Sequence, residues 1–214
     1  MDERTMEKIG YQFDIDGDIT NVVRFGEGHI NDTFKVTVKN GAKERHYILQ
    51  KINNRLFTDV ARLMRNIELV TDFTRKSVIE RGGDPERECL TLIKTRDGKS
   101  FLEWEGGYYR MYVFIEDATS YQIVRNPNDF YESAVAFGKF AALLAKFDAS
   151  QLYEILPDFH NTKVRYQNFL NAVEKDIVGR KSAVQKEIDW VNAHSDLCGL
   201  IVDKIADGTI PLRV

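Results

Sequence analysis

The apolar spacing of this chain changes abruptly at Asn53–Asn54, and that change limits the folds open to it. Before it, Thr33-Phe34-Lys35-Val36-Thr37-Val38-Lys39 alternates apolar and polar side chains, as a strand with one buried face does. Ile19–Phe25 is rich in β-branched residues and ends at Gly26. His46–Ile52 reads as the return strand after Asn40–Gly41, residues that tolerate positive φ in a tight hairpin turn. These three stretches predict an antiparallel meander. After the break, Phe57, Val60, Leu63, Met64, Ile67, Val70 and Phe73 recur at three- and four-residue spacing, which lines one helical face. Thr58–Asp59 starts that helix and Gly82–Gly83 stops it.

Strand character resumes at Cys89–Lys94, Ser100–Trp104 and Tyr108–Ile115, with turns at Arg96-Asp97-Gly98 and Gly106–Gly107. Residues 1 to about 117 therefore read as an α+β unit, a five-stranded antiparallel sheet with one long helix inserted after the third strand. From Pro127 onward the pattern is helical. Phe130, Ala134, Phe137, Ala141 and Leu144 form an apolar stripe, with small residues Gly138, Ala141 and Ala145 permitting close helix approach. Further helices are expected over Val164–Val173, Ala183–Asn192 and Leu197–Ala206, and Ile210–Val214 has the look of a strand beginning. The expected organisation is thus 1–117 as one lobe and 118–214 as a partial helical one.

Composition removes several function classes. A net charge of −3 with interspersed signs leaves no basic footprint for nucleic acid. No apolar run approaches the roughly 20 residues that span a bilayer, and the N-terminus lacks the apolar stretch of a signal peptide. Cys89 and Cys198 are too few and too far apart for a disulfide framework or a zinc site, and the four histidines show no metal spacing. A reducing, cytoplasmic setting is the expectation.

The order strand, Gly-x-Gly, strand, hairpin, strand, helix, strands, link, helices is that of a nucleotide clamp. Glycines between two strands let backbone N–H groups approach phosphates closely. The link after the last strand then offers backbone groups to an adenine edge. Here the residues themselves become informative. Gly26-Glu27-Gly28-His29-Ile30-Asn31-Asp32-Thr33-Phe34, Tyr47-Ile48-Leu49-Gln50-Lys51-Ile52-Asn53, and Leu63–Thr71 resemble the aminoglycoside phosphotransferase superfamily, and within it the N-acetylhexosamine 1-kinase branch. The resemblance continues through Arg110–Glu116, Ala136–Phe140, Phe147–Leu152 and Ile210–Val214.

That resemblance implies a protein-kinase-like fold and ATP-dependent phosphorylation of the anomeric hydroxyl of an N-acetylhexosamine, with Mg2+ bridging the phosphates; the alternatives are a kinase for choline, homoserine or an aminoglycoside, or a non-catalytic nucleotide- or partner-binding module. It also implies a catalytic loop of the form T-H-N-D-T-K-x-x-N and a later D-L-D-T, both beyond the segment resembling Ile210–Val214. The chain is therefore expected to stop short of its catalytic loop, to hold no catalytic or metal-binding residue, and not to transfer phosphate. Apolar surface left uncovered would then favour self-association.

Individual residues follow. The glycine turn Gly26-Glu27-Gly28 is the expected phosphate cradle, with Asn31, Asp32 and Thr33 hydrogen-bonding within the loop to fix its shape. The resemblance implies that Val22 and His29 lie over the cleft and touch the sugar. In kinase-like folds the third strand carries a cation that reaches the phosphates and pairs with a helix carboxylate. By position Gln50 matches that slot, while Lys51 is the adjacent cation; successive strand residues face opposite ways, so only one looks into the cleft. If it is Lys51, Glu68 is the natural partner. Tyr112, Phe114, Ile115 and Glu116 form the expected hinge that reads adenine, and Ile48 and Phe114 would sandwich the base. Asn161 or Thr162 is placed to cap the following helix.

Overall fold

The computed structural model describes residues 3–121 and 123–213. Val214, the last residue of the expected strand Ile210–Val214, lies outside the described residues, as do Met1, Asp2 and Gln122. The chain forms two compact units, one running to Ile155 and the other Leu156–Arg213.

The first unit begins with helix α1 (Glu3–Gly10), followed by strands β1 (Asp18–Arg24), β2 (Asp32–Asn40) and β3 (Lys43–Ile52). Helix α2 (Val60–Glu80) and the single turn α3 (Pro85–Glu88) precede β4 (Leu92–Ile93), β5 (Leu102–Trp104) and β6 (Gly107–Val113). Helix α4 (Pro127–Leu143) closes the series. The strands make one antiparallel sheet in the order β1-β2-β3-β6-β4, with β5 also on β6.

The sheet thus has six strands where five were expected. Each of the six stretches read as strand-like from sequence contributes one, and β4 and β5 share one edge of β6: Leu92 and Ile93 sit opposite Tyr112 and Met111, whereas Leu102, Glu103 and Trp104 sit opposite Tyr109, Tyr108 and Gly107. The β2–β3 hairpin also turns one residue later than expected. Asn40 pairs with Lys43, so Gly41–Ala42 form the loop, and Gly41 adopts the positive φ of 58° that the turn demands. On β1 the register shifts between Ile19 and Asn21, leaving Thr20 as a bulge.

The two faces of the sheet bury different partners. Phe34, Val36, Val38, Leu49 and Met111 pack on one face with Met6 and Ile9 of α1 and with Phe13. On the other, Ile52 packs with Val60 and Met64 of α2, joined at the rim by Leu92, Phe101 and Tyr108. The inserted helix therefore covers one end of the sheet face opposite α1. Its start is fixed by Asp59, whose carboxylate accepts from Arg62 N at 2.9 Å. Asp59→Ala is expected to lower stability by about 1 kcal/mol, read as a smaller unfolding midpoint in urea.

Buried Cys89 donates its Sγ–H to Pro85 O. Burial pushes its thiol up from its ordinary value, against the opposing charge of Arg75. The folded chain holds this proton more tightly than the unfolded one. The stability it contributes is therefore full below the unfolded thiol pKa and is lost as pH rises through the folded one. Iodoacetamide should modify Cys89 more slowly at pH 8 than it modifies glutathione, followed by peptide mapping.

The expected apolar stripe of α4 is not buried. No residue of the helix is, and Phe130 and Phe137 are 68% and 72% exposed. Only Leu144, just past the helix end, is enclosed. A stripe is legible from spacing, but burial needs a facing partner, and none among the described residues covers it.

In the second unit, α5 (Thr162–Lys175), α6 (Gln185–Ala193) and α7 (Leu200–Ala206) follow one another, with 3-10 turns at Lys181–Val184 and Ser195–Gly199. Asn161, not Thr162, caps α5 by accepting from Val164 N, while Thr162 donates to Cys198 O. Lys163 pairs with Asp203, and Tyr166 Oη donates to Asn192. The expected strand at Ile210 is absent among the described residues: Ile210–Arg213 is irregular, held by Ile210 N to Lys204 O at 2.8 Å. A strand requires a ladder partner, and this segment has none there.

Candidate nucleotide site

The turn between β1 and β2 opens at Phe25, whose N–H donates to Thr33 O at 3.0 Å. Gly26 then takes φ 78°, a conformation that side chains disfavour, and Gly26, Glu27, Gly28 and His29 are exposed. The turn is held across its own base by Asp32 and from outside by Asn31 and Thr33. Asn31 Oδ1 accepts from Asn53 N at 3.0 Å, Asp32 pairs with Arg24 at 2.9 Å, and Thr33 Oγ1 accepts from Gln50 Nε2 at 2.9 Å. A cavity of about 520 Å³ opens at this end of the sheet, bordered by Gly28, His29, Asn31, Lys51 and Arg55.

Strand register separates Gln50 from Lys51. Gln50 lies opposite Thr33 on one side and Arg110 on the other, and has the same parity as Ile48 and Ile52. Since Ile52 packs against α2, Gln50 belongs to the face that carries the inserted helix. Lys51 lies opposite Tyr109, with the parity of Leu49, on the face that carries α1. Glu68 of α2 does not meet Lys51; it pairs with Lys94.

On the α2 face the residues form ordered rows. Lys35, Ile48, Tyr112 and Leu92 align across β2, β3, β6 and β4. Thr33, Gln50 and Arg110 form the neighbouring row, with Arg110 Nε and Nη2 donating to Gln50 Oε1 at 3.0 and 2.8 Å. Burial pulls the Arg110 guanidinium below its usual value and pushes the Tyr112 phenol up.

Past β6 the chain runs through the expected hinge. Phe114 N donates to His46 O at 3.0 Å, and Glu116 O accepts from Arg87 Nη1 at 2.8 Å. The Glu116 carboxylate lies 2.6 Å from His46 Nδ1. Between them, Ile115 has no backbone partner for its N–H or C=O among the described residues. The Phe114 ring meets Phe25 edge-on at 5.4 Å between centroids, and Lys35 Nζ lies 4.1 Å from its centre.

Of the residues singled out from sequence, Gly28, His29, Asn31 and Lys51 border the cavity, and Ile48, Gln50, Tyr112 and Thr33 share the α2 face. Val22 does not join them. It is 5% exposed and packs in the α1-side core with Val36 opposite it, so it has no surface to offer a sugar. Arg110, Phe25 and Lys35 were not singled out. For Arg110 the missing signal is pairing: its partner Gln50 lies 60 positions away, and no local pattern reveals which residues face each other across β3 and β6.

No protein-family model matches the chain. Among solved structures it is similar to a spectinomycin phosphotransferase in complex with ADP and spectinomycin, with a TM-score of 0.55 at 14% identity. The likeness covers 99% of this chain and 60% of that one, so the chain spans about 60% of the length of the structure it matches. At this identity the likeness establishes the fold: α+β and kinase-like, with an antiparallel sheet and helices. Among the described residues, no helix is long and apolar enough to cross a membrane.

Proposed function

We propose that this chain is the nucleotide-binding part of an ATP-dependent phosphotransferase acting on a small hydroxylated acceptor. The observation that carries the reading is Ile115. Its N–H and C=O, without a backbone partner among the described residues, present one donor and one acceptor three positions beyond Tyr112, which pairs with buried Ile48. Adenine offers the complementary acceptor and donor on one edge. Phe114 supplies apolar surface for the base, whereas Ile48, as closed to solvent as Val22, backs the site without offering surface, and Gly26, Glu27 and Gly28 supply exposed backbone for the phosphates. The kinase-like fold, shared with a protein holding ADP, supports the same reading.

On this reading residues 1–117 act as the nucleotide lobe and the helical part from 118 as a partial second lobe, in a cytoplasmic setting where ATP is at hand. The acceptor is an N-acetylhexosamine, a choice that rests on the sequence resemblance; His29, at the cavity rim, is the residue to touch it, and Val22 is set aside. A second acceptor class is an aminocyclitol such as spectinomycin, which the similar structure holds. Magnesium, when bound, neutralises phosphate charge. The described residues hold no group of three His, Cys, Asp or Glu fit to grip a metal, and no step is assigned through the ion. Nor is the base for the acceptor hydroxyl assigned to a residue of this chain, which is proposed to bind nucleotide without transferring phosphate. Exposed Phe130 and Phe137 support self-association at high concentration.

Calorimetric titration of the 214-residue chain with ATP, ADP and GTP tests the reading. Both adenine nucleotides should bind, and GTP should bind at least about tenfold more weakly, because guanine presents a different edge to Ile115. Equal binding of ATP and GTP, or no binding of either, would overturn it. Coupled ADP release with N-acetylglucosamine, N-acetylgalactosamine, choline and spectinomycin as acceptors then separates the acceptor classes in any longer form.

A further inference from the structure

We propose that Arg110 supplies the positive charge that meets the nucleotide's phosphates, and that Gln50 is its positioning residue. The inference rests on the nucleotide-binding reading above and assigns the role to a strand other than the third one.

Kinase-like folds set a cation on the third strand, held by a helix carboxylate. Here that slot is filled by the neutral Gln50, and the helix carboxylate Glu68 is held by Lys94. Lys35, on the same face, has its ammonium over the Phe114 ring, one row away; within the row of Gln50 the charge comes from the residue directly across the ladder. Arg110 pairs in register with Gln50, on the face that carries α2, and two of its N–H groups converge on Gln50 Oε1. Gln50 is itself oriented, since its amide N–H donates to Thr33 Oγ1. That bond leaves the amide oxygen turned to the guanidinium. The row Thr33–Gln50–Arg110 begins at the base of the glycine turn, where Phe25 N and Thr33 O make the last bond before the loop opens.

The guanidinium in this row is largely desolvated, yet no carboxylate among the described residues pairs with it. A shielded cation without a counter-charge is costly unless an anion arrives. Arg110 retains its Nη1 group and the second Nη2 hydrogen as free donors among the described residues, in the planar geometry that suits phosphate oxygens. A glutamine partner fixes the fork without neutralising it. A carboxylate partner would have done both.

The test is calorimetry on the 214-residue chain with ATP and with adenosine, which lacks phosphates. Arg110→Gln should weaken ATP binding about tenfold or more while adenosine stays within about twofold. Adding Gln50→Lys to Arg110→Gln returns a cation to the third-strand slot and should recover part of the ATP affinity. Gln50→Glu, which keeps Arg110 but gives it a carboxylate partner, should also weaken ATP selectively. If Arg110→Gln fails to fold by circular dichroism, Gln50→Glu alone decides. Unchanged ATP affinity in the folded Arg110→Gln chain overturns the inference while leaving nucleotide binding intact, and so does an equal loss of ATP and adenosine. Wild-type chain that binds neither ligand removes the underlying reading and this inference with it.

Discussion

Leu49→Ala is expected to lower the unfolding free energy of the first unit by about 2–5 kcal/mol. Leu49 is fully buried at the centre of β3, with Phe34 opposite it on β2 and Met111 opposite it on β6. Its side chain therefore sits in the middle row of the α1-side core, where neighbours on both flanking strands are themselves closed to solvent. Truncation removes apolar contacts and leaves a space that three strands anchored by ladder hydrogen bonds cannot collapse to fill. The effect should be read by urea titration followed by far-ultraviolet circular dichroism. A loss under about 1 kcal/mol would mean that the site relaxes freely, contrary to its central position. The same substitution should loosen Ile48 and Gln50, its neighbours in sequence on the other face.

A second large effect is expected from Gln50→Ala, about 1.5–3 kcal/mol of destabilisation. The amide serves three strands at once, accepting from Arg110 on β6 and donating to Thr33 on β2. Alanine leaves the guanidinium without its acceptor and the Thr33 hydroxyl without its donor. The asymmetry of hydrogen bonding makes a companion variant informative, since losing one partner costs more than losing both. Gln50→Leu combined with Arg110→Leu should recover most of the stability lost in Gln50→Ala, in the absence of any nucleotide. If the double variant is as unstable as Gln50→Ala, the row does not act as a coupled unit.

Much of the first unit was legible because its signals are local. The alternation at 33–39, the switch of period after Asn53 and the cap at Asp59 each depend on a few adjacent residues, and each matches an observed element. What escaped depends on distant pairing. Helix α1 carries only Met6 and Ile9 as buried apolar side chains amid charge, too short a stripe to read, yet with Phe13 it closes one face of the sheet. The strand expected over Cys89–Lys94 shrinks to Leu92–Ile93, because only those residues find Tyr112 and Met111 opposite them. At the candidate site, the glycine turn between β1 and β2 and the segment that follows β6 were visible as sequence. Which sheet face Gln50 and Lys51 each take was not, because parity along a strand has meaning only once Ile52 is known to pack against α2. Val22 shows the opposite failure: a position transferred by likeness, whose side chain turns out to serve the core.

The two outer margins of the sheet carry a consequence for how copies of this chain could meet. One margin is interrupted by the Thr20 bulge and studded with Asp18, Asn21 and Arg24; the other is split between a two-residue and a three-residue strand. Neither offers the long, flat, unpaired row of peptide groups on which a foreign strand can template. Both margins are therefore poor templates for sheet growth, the route to fibres, and the exposed aromatic rings of α4 are the better surface for contact between copies.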